Sequence, residues 1–212
     1  MSSLLSSKDA PTDLEVDHVG SSQAAKAASH ERIVKAAAAR IRRDGIGGVS
    51  VSELMNEAGL THGGFYRHFS SRDDLVAEAV DAALAHGSRR TDAAARIGGI
   101  PALTAIIDGY LSQLHRDQPE TGCAVAALPA DISRSEARTR QAYGRQVRRY
   151  VDVLVDMIPG AEPETKQDEA LLILAALVGA LSMARAVDDS DLSDEILTRT
   201  ARALHRQVHE RD

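Results

Sequence analysis

The sequence predicts an all-α protein. Apolar residues recur every three or four positions in one segment after another. Capping residues, Gly or Pro bound these segments, and no alternating strand or hairpin pattern lies between them. Composition agrees: aromatics make up 3% of the chain, Trp is absent, and Ala, Leu, Val and Arg are abundant. At 212 residues the chain can hold a small N-terminal domain and a larger helical one, with about nine helices in all.

Residues 1–28 are rich in Ser, Ala and Asp without a sustained apolar period and read as a flexible tail, although Lys26 and the alanines near it could extend the first helix. That helix covers about 30–43 and ends at Asp44-Gly45. Ser50 and Glu53 form a capping box for a second helix with Val51, Leu54, Met55 and Ala58 on its apolar face. Gly59 stands where a left-handed residue ends a helix, Leu60 packs back, and Thr61 can cap the next. The third helix has room for only about two turns, because Ser71 and Asp74 form another box that opens a fourth, to about 86. A Gly-containing break at 97–100 leads to Pro101 and a helix to about 116. Pro119 and Gly122 precede a short helix near 123–132, bent at Pro129. Longer helices follow at about 135–158, 163–187 and 191–210, the first stopped by Pro159-Gly160.

Residues 50–75 carry the functional signal. A helix, a Gly turn and a very short second helix make a helix-turn-helix, which can place a helix end in the major groove of DNA. Charge supports this. The whole chain has 25 Lys+Arg against 31 Asp+Glu, yet residues 29–72 hold 7 basic and 4 acidic residues, and residues from 73 onward hold 16 and 23. Arg32, Lys35, Arg42 and Arg43 add to the basic end, so an otherwise acidic molecule would meet phosphate through that end.

The stretch from about Glu31 to Ala85 resembles the TetR-type transcriptional repressors. The matching residues are Ile33, Val34, Ile41, Asp44-Gly45, Val51, Leu54, Ala58-Gly59-Leu60-Thr61, Gly63, Phe65-Tyr66, His68-Phe69, Ser71-Arg72 and Leu75. The resemblance implies that Thr61, His62, Gly63 and Gly64, with Arg67 beside them, face base edges. It also implies that Tyr66, His68 and Arg72 contact phosphate, and that Ser50 and Ser52 meet phosphate or a base. Ser70 departs from the family, many of whose members have Lys there. Phe65 and Phe69 read as core anchors, and for Tyr66 core and phosphate roles are equally open. His62 can donate or accept at a purine edge.

The resemblance further implies a division into a tail (1–28), a DNA-binding domain (29–75) and an effector-binding and dimerisation domain (76–212). A pocket among the middle helices would be lined by Leu103, Ile107, Tyr110, Leu114, Cys123, Tyr143, Val147 and Tyr150. Residues 170–184 are apolar almost all round and need cover on two sides. Ala176, Gly179, Ala180 and Met183, joined by Ile196, Leu197, Ala203 and Leu204, would meet a second copy in a four-helix bundle. The expected function is a ligand-responsive repressor that binds a near-palindromic operator as a homodimer and is released by a small-molecule effector.

Two alternatives stay open. Cys123, in Thr121-Gly122-Cys123, resembles a subgroup of relatives, some of which sense oxidants or electrophiles through cysteine; a lone Cys among alanines is more often a small buried apolar residue. The other alternative is a helical ligand-binding protein without operator binding. No nucleophile–base pair, phosphate loop or paired-carboxylate motif suggests an enzyme, and no cofactor or metal is expected; His205 and His209 are four apart but lack a third ligand. Arg138, Arg140, Arg145, Arg148 and Arg149 read as a solvated basic face, with an anionic effector the sharper alternative. A single Cys excludes a disulfide framework. The stretch 170–184, broken by Ser182, is short for a membrane span, and no signal peptide is evident; a cytoplasmic protein without a membrane partner is expected.

Overall fold

The computed structural model describes residues 14–160 and 162–210, with the side chains of 14–22, 62, 88–90 and 94 outside the description. These residues form ten α-helices and three 3-10 segments, with no strand among them. The first helix, α1 (Leu14–Asp44), packs along α3 (Arg72–Ala95), and α2 (Val51–Glu57) closes the small N-terminal bundle. Then come α4 (Gly99–Tyr110), α5 (Gln113–Asp117), α6 (Ala124–Ala127), α7 (Pro129–Ser133), α8 (Ala137–Met157), α9 (Pro163–Ala186) and α10 (Ser190–His209). In this larger part α3 packs on α8, α8 on α9, α9 on α10, and α10 back on α4.

The apolar stripe of α1 supplies Ile33, Ala37 and Ile41 to the small core, against Leu54, Met55, Phe65, Phe69 and Leu75, all buried. Between α2 and α3 lies a 3-10 helix, His62–Arg67, the short third helix of the sequence reading. Gly59 has φ +71°, Leu60 N donates to Met55 O at 2.8 Å, and Gly59 N donates to Asn56 O at 3.0 Å. This pair of bonds is a complete Schellman stop, and a Cβ at Gly59 would be strained. Asp74 N donates to Ser71 Oγ at 3.1 Å, while the Asp74 carboxylate reaches Ser70, accepting from its N and its Oγ.

Several expectations are corrected. The segment 14–28, expected as part of a tail, is the start of α1, with 23–28 exposed; the tail residues 1–13 lie outside the described residues. The box at Ser50 does not form: Ser50 Oγ lies 3.1 Å from Ser52 Oγ, and Glu53 turns with Glu57 to pair with Arg40. The helix expected to reach 116 breaks after Tyr110, because Ser112 Oγ accepts from His115 N at 3.1 Å and caps a new helix. The fourth helix outruns position 86, passing Gly87 to Ala95, since a single Gly in a helix costs only about 1 kcal/mol.

The two parts meet at polar contacts. Arg42 at the end of α1 donates through Nε and Nη2 to Glu120 O, and Asp131 of α7 accepts from Ile46 N at 3.1 Å. The carbonyl that holds Arg42 is therefore one residue from Thr121, which lines the cavity described below.

Candidate nucleic-acid interface and ligand cavity

The 3-10 helix after α2 stands at the outer end of the small bundle. Phe65 and Phe69 point inward and stack with centroids 5.4 Å apart, as expected of core anchors. Tyr66 points outward with 72% of its surface exposed, which removes the core alternative for this residue. Thr61, Gly63 and Arg67 are exposed beside it and Gly64 is half-buried. A Cβ at Gly63 would meet nothing within 4 Å, so this part of the surface is open. The side chain of His62 lies outside the described residues.

Of the residues expected at phosphate, His68 is turned inward, whereas Arg72 is exposed but engaged with backbone carbonyls. The His68 ring lies against His30 and Phe69, its Nδ1 is buried without a partner, and burial, followed by the nearby His30, holds its pKa below the usual value. Arg72 donates to Val49 O at 3.2 Å and to Ile46 O at 2.9 Å, so it ties the start of α3 to the α1–α2 link. Ser50 and Ser52 sit together at the start of α2. Thr61, Gly63, Tyr66 and Arg67 thus form the outward-facing set of the 3-10 helix, with Ser52 and Arg72 exposed beside it.

A cavity of about 230 Å³ lies in the larger part, bounded by α3, α4, α5, the Thr121–Cys123 segment, α8 and α9. Of the eight expected lining residues it brings together Tyr110, Cys123 and Tyr150. Leu103 and Ile107 are buried in the core and do not border the cavity. Leu114 is 59% exposed, because the break at Ser112 rotates α5 away from the stripe of α4. Tyr143 donates to Val125 O at 2.9 Å, and Val147 packs on the core; neither borders the cavity.

Sequence reasoning missed Gly87, Ile106, Gly109, His115, Leu154, Leu174 and Leu177, which complete much of the wall. Ile106, Gly109 and Tyr110 follow helical spacing and were partly visible as a second stripe. His115 was not: it is buried, shares 2.7 Å with Tyr110 O through Nδ1, and accepts from Cys123 N at 3.0 Å through Nε2. With Nδ1 donating and Nε2 accepting, the ring is in a neutral tautomer. Cys123 is buried with Sγ 3.9 Å from Tyr150 Oη.

The surface of α9 and α10 separates the proposed dimer residues into two groups. Ala180, Leu197 and Leu204 are buried in the chain's own core, which corrects their assignment to an intersubunit face. Ala176, Gly179 and Ile196 are half-buried, Ala203 is exposed, and Met183 is 54% exposed. Leu172, 55% exposed, extends the outer stripe Leu172, Ala176, Gly179, Met183, and Leu192 adds an exposed residue from α10. By length and composition α9 could span a bilayer, but eight of its residues, Glu169 among them, are buried within the fold, as in a core helix.

Residues 33–79 match the family model of bacterial regulatory proteins of the tetR family. These residues form a DNA-binding domain of the TetR family, and this match, the relatives and the fold together support a TetR-family transcriptional regulator. Two proteins named as uncharacterized HTH-type transcriptional regulators, from two strains of Mycobacterium tuberculosis, are each 29% identical over 189 residues, 85% of this chain and 96% of the relative. Among solved structures, this TetR-family chain is similar to a TetR-family regulator from Agrobacterium tumefaciens (18% identity, 86% of this chain and 98% of the other, TM-score 0.71). It is likewise similar to the reduced form of NemR from E. coli (20% identity, 83% and 94%, TM-score 0.68). At these identities the structures establish a shared fold. Helix-turn-helix DNA binding and transcription regulation follow from the family, whose regulators bind DNA and form dimers.

The basic run of α8 lies outside the cavity, and Arg149 pairs with Asp92 of α3 at 2.8 Å. His205 pairs with Asp108 at 2.7 Å, and among the described residues no group of three or more His, Cys, Asp or Glu is placed to hold a metal.

Proposed function

We propose that this TetR-family regulator is a ligand-responsive repressor: a dimer on near-palindromic DNA, released when a small molecule occupies the cavity. The observation that carries the reading is the course of α3. It begins directly after the reading helix, where Arg72 ties it to the α1–α2 link, and its far half supplies Gly87 and Thr91 to the cavity wall. A ligand that displaces this wall acts on the same rod that orients the reading helix. The cavity segment at Thr121 offers a second route, through Glu120 O and Arg42. To change occupancy of DNA, the ligand must bind the DNA-incompetent arrangement more tightly than the competent one.

Dimerisation would use the outer stripe of α9 and α10, placing two reading helices in successive major grooves. Thr61, Gly63, Gly64 and His62 would face bases, with Tyr66 and Arg67 at the backbone. The test is binding of the full chain to the DNA flanking its own coding region. Tyr66→Phe and Arg67→Ala should weaken that DNA and random DNA alike, and Arg67→Ala should lower the salt slope by about one. His62→Ala should instead relax preference at one or two positions per half-site. Undiminished binding by all three variants would remove the assigned surface, and no binding by the wild type would favour a helical ligand-binding protein.

A further inference from the structure

The chemistry of the cavity wall narrows what can fill it, and this inference rests on the cavity being the effector site. The wall is mainly apolar, with Ile106, Leu154, Leu174 and Leu177 among its residues, and among the described residues no Asp, Glu, Lys or Arg lines it. His115 is held neutral by its two backbone partners. Arg185, which lies behind Gly122, donates to His115 O and Arg116 O, which turns its charge toward backbone carbonyls.

The polar groups that border the space are nearly all engaged. Thr91 donates to Gly87 O at 3.4 Å and Thr121 to Gln118 O at 3.3 Å. Tyr150 Oη has the Cys123 thiol at 3.9 Å. Tyr110 is the exception: its hydroxyl oxygen is fully buried and has no hydrogen-bond partner. The Cys123 thiol is close enough to act on Tyr110 both electrostatically and as a weak side-chain hydrogen-bond partner, but no bond of normal geometry joins them, and a thiol leaves most of the hydroxyl's capacity unused. A buried hydroxyl left unpaired costs about 1–3 kcal/mol, so an orphan donor on a residue of the cavity wall favours a ligand oxygen that reaches it by a small shift of that wall.

We propose that the cavity takes a small, uncharged, largely apolar molecule with one acceptor oxygen of the carbonyl, ether or hydroxyl kind, held by a hydrogen bond from Tyr110 Oη. The volume of about 230 Å³ fits about eight non-hydrogen groups at the roughly 30 Å³ that a water takes in the liquid, the size of a small substituted benzene. An anion of that size would lose its hydration with no cation among the described lining residues to meet it, and a cation would find no carboxylate among them.

Three probes of nearly equal shape test this by calorimetry on the full chain at neutral pH: acetophenone, ethylbenzene and benzoate. Acetophenone should bind about fivefold more tightly than ethylbenzene, the worth of one neutral hydrogen bond. Benzoate should show no saturable binding where acetophenone saturates. In Tyr110→Phe, which strands no partner and keeps the ring, the two neutral probes should bind alike. Benzoate binding as tight as the ketone's, or an unchanged ketone preference in Tyr110→Phe, overturns the proposal. Failure of both neutral probes to bind the wild type removes the cavity as a ligand site and the proposal with it. Binding as stated without release of DNA leaves the ligand class standing and overturns ligand-controlled repression.

Discussion

Substitution of Gly87 by Ala tests whether α3 and the cavity are mechanically joined. A Cβ built at Gly87 would lie 2.1 Å from Tyr150 Oη and 3.4 Å from its Cζ. Normal contact between such atoms is about 3.5 Å, so the phenol must withdraw by about 1.4 Å. It has little room on its other sides, being 6% exposed with the Cys123 thiol 3.9 Å away. Withdrawal therefore pushes the ring into the cavity or moves α3. Overpacking of this kind costs about 1–3 kcal/mol, against about 1 kcal/mol gained from the better helix propensity of Ala. The net expectation is a loss of about 0–2 kcal/mol. Tyr150→Phe removes the clashing oxygen and leaves the 3.4 Å contact, which is tolerable, so in that background Gly87→Ala should stabilise by up to about 1 kcal/mol. Urea denaturation of the four proteins at one fixed concentration gives the coupling, expected at about 1–3 kcal/mol. Gly87→Ala stabilising the wild type as much as it stabilises Tyr150→Phe would refute the contact and the coupling built on it.

Other expectations concern single groups. His68 has a folded pKa below its usual 6.5, so the unfolded chain takes up the proton first. Its contribution to stability is full above about pH 6.5 and falls as the pH drops toward the folded pKa; denaturation midpoints of wild type and His68→Gln between pH 5 and 8 should show that slope shrinking in the variant. Cys123→Ser should keep DNA binding and release by a non-reactive effector, because the thiol is a packed wall residue beside Tyr150; loss of release with DNA affinity intact would make the protein a thiol-based sensor. Gly179→Arg adds bulk where a Cβ meets nothing within 4 Å in its own chain, so the fold should survive by circular dichroism while sedimentation shows monomer and DNA binding falls together. A variant that remains dimeric would move the interface away from the outer stripe of α9.

The helix-turn-helix was legible because local rules specify it. Gly59 stops a helix by its own backbone, Ser71 caps the next, and Phe65 and Phe69 share an inward face whatever lies beyond them. Local rules failed where a competing partner was distant in sequence. Glu53 left the Ser50 box for Arg40, and Arg72 turned to the carbonyls of Ile46 and Val49. The cavity is assembled from α3, α4, α5, α8, α9 and one loop, so periodicity within any one helix could not say which residues faced it; Leu103 and Tyr110 stand seven apart on one stripe of α4, yet only Tyr110 borders the cavity. In α9 the apolar residues cover nearly every direction, which left Ala180 and Met183 indistinguishable until packing buried one and exposed the other.

The most direct test of the central claim is selection of duplexes from a random library by the purified full chain, followed by mass measurement of the selected complex. The account predicts an inverted repeat whose half-sites have centres about one helical turn apart or a multiple of it, roughly 10–10.5 base pairs per turn, bound by protomers in even number and lost when a cavity ligand is added. Enrichment of no sequence, or of a single unsymmetrical site held by one protomer, would contradict it.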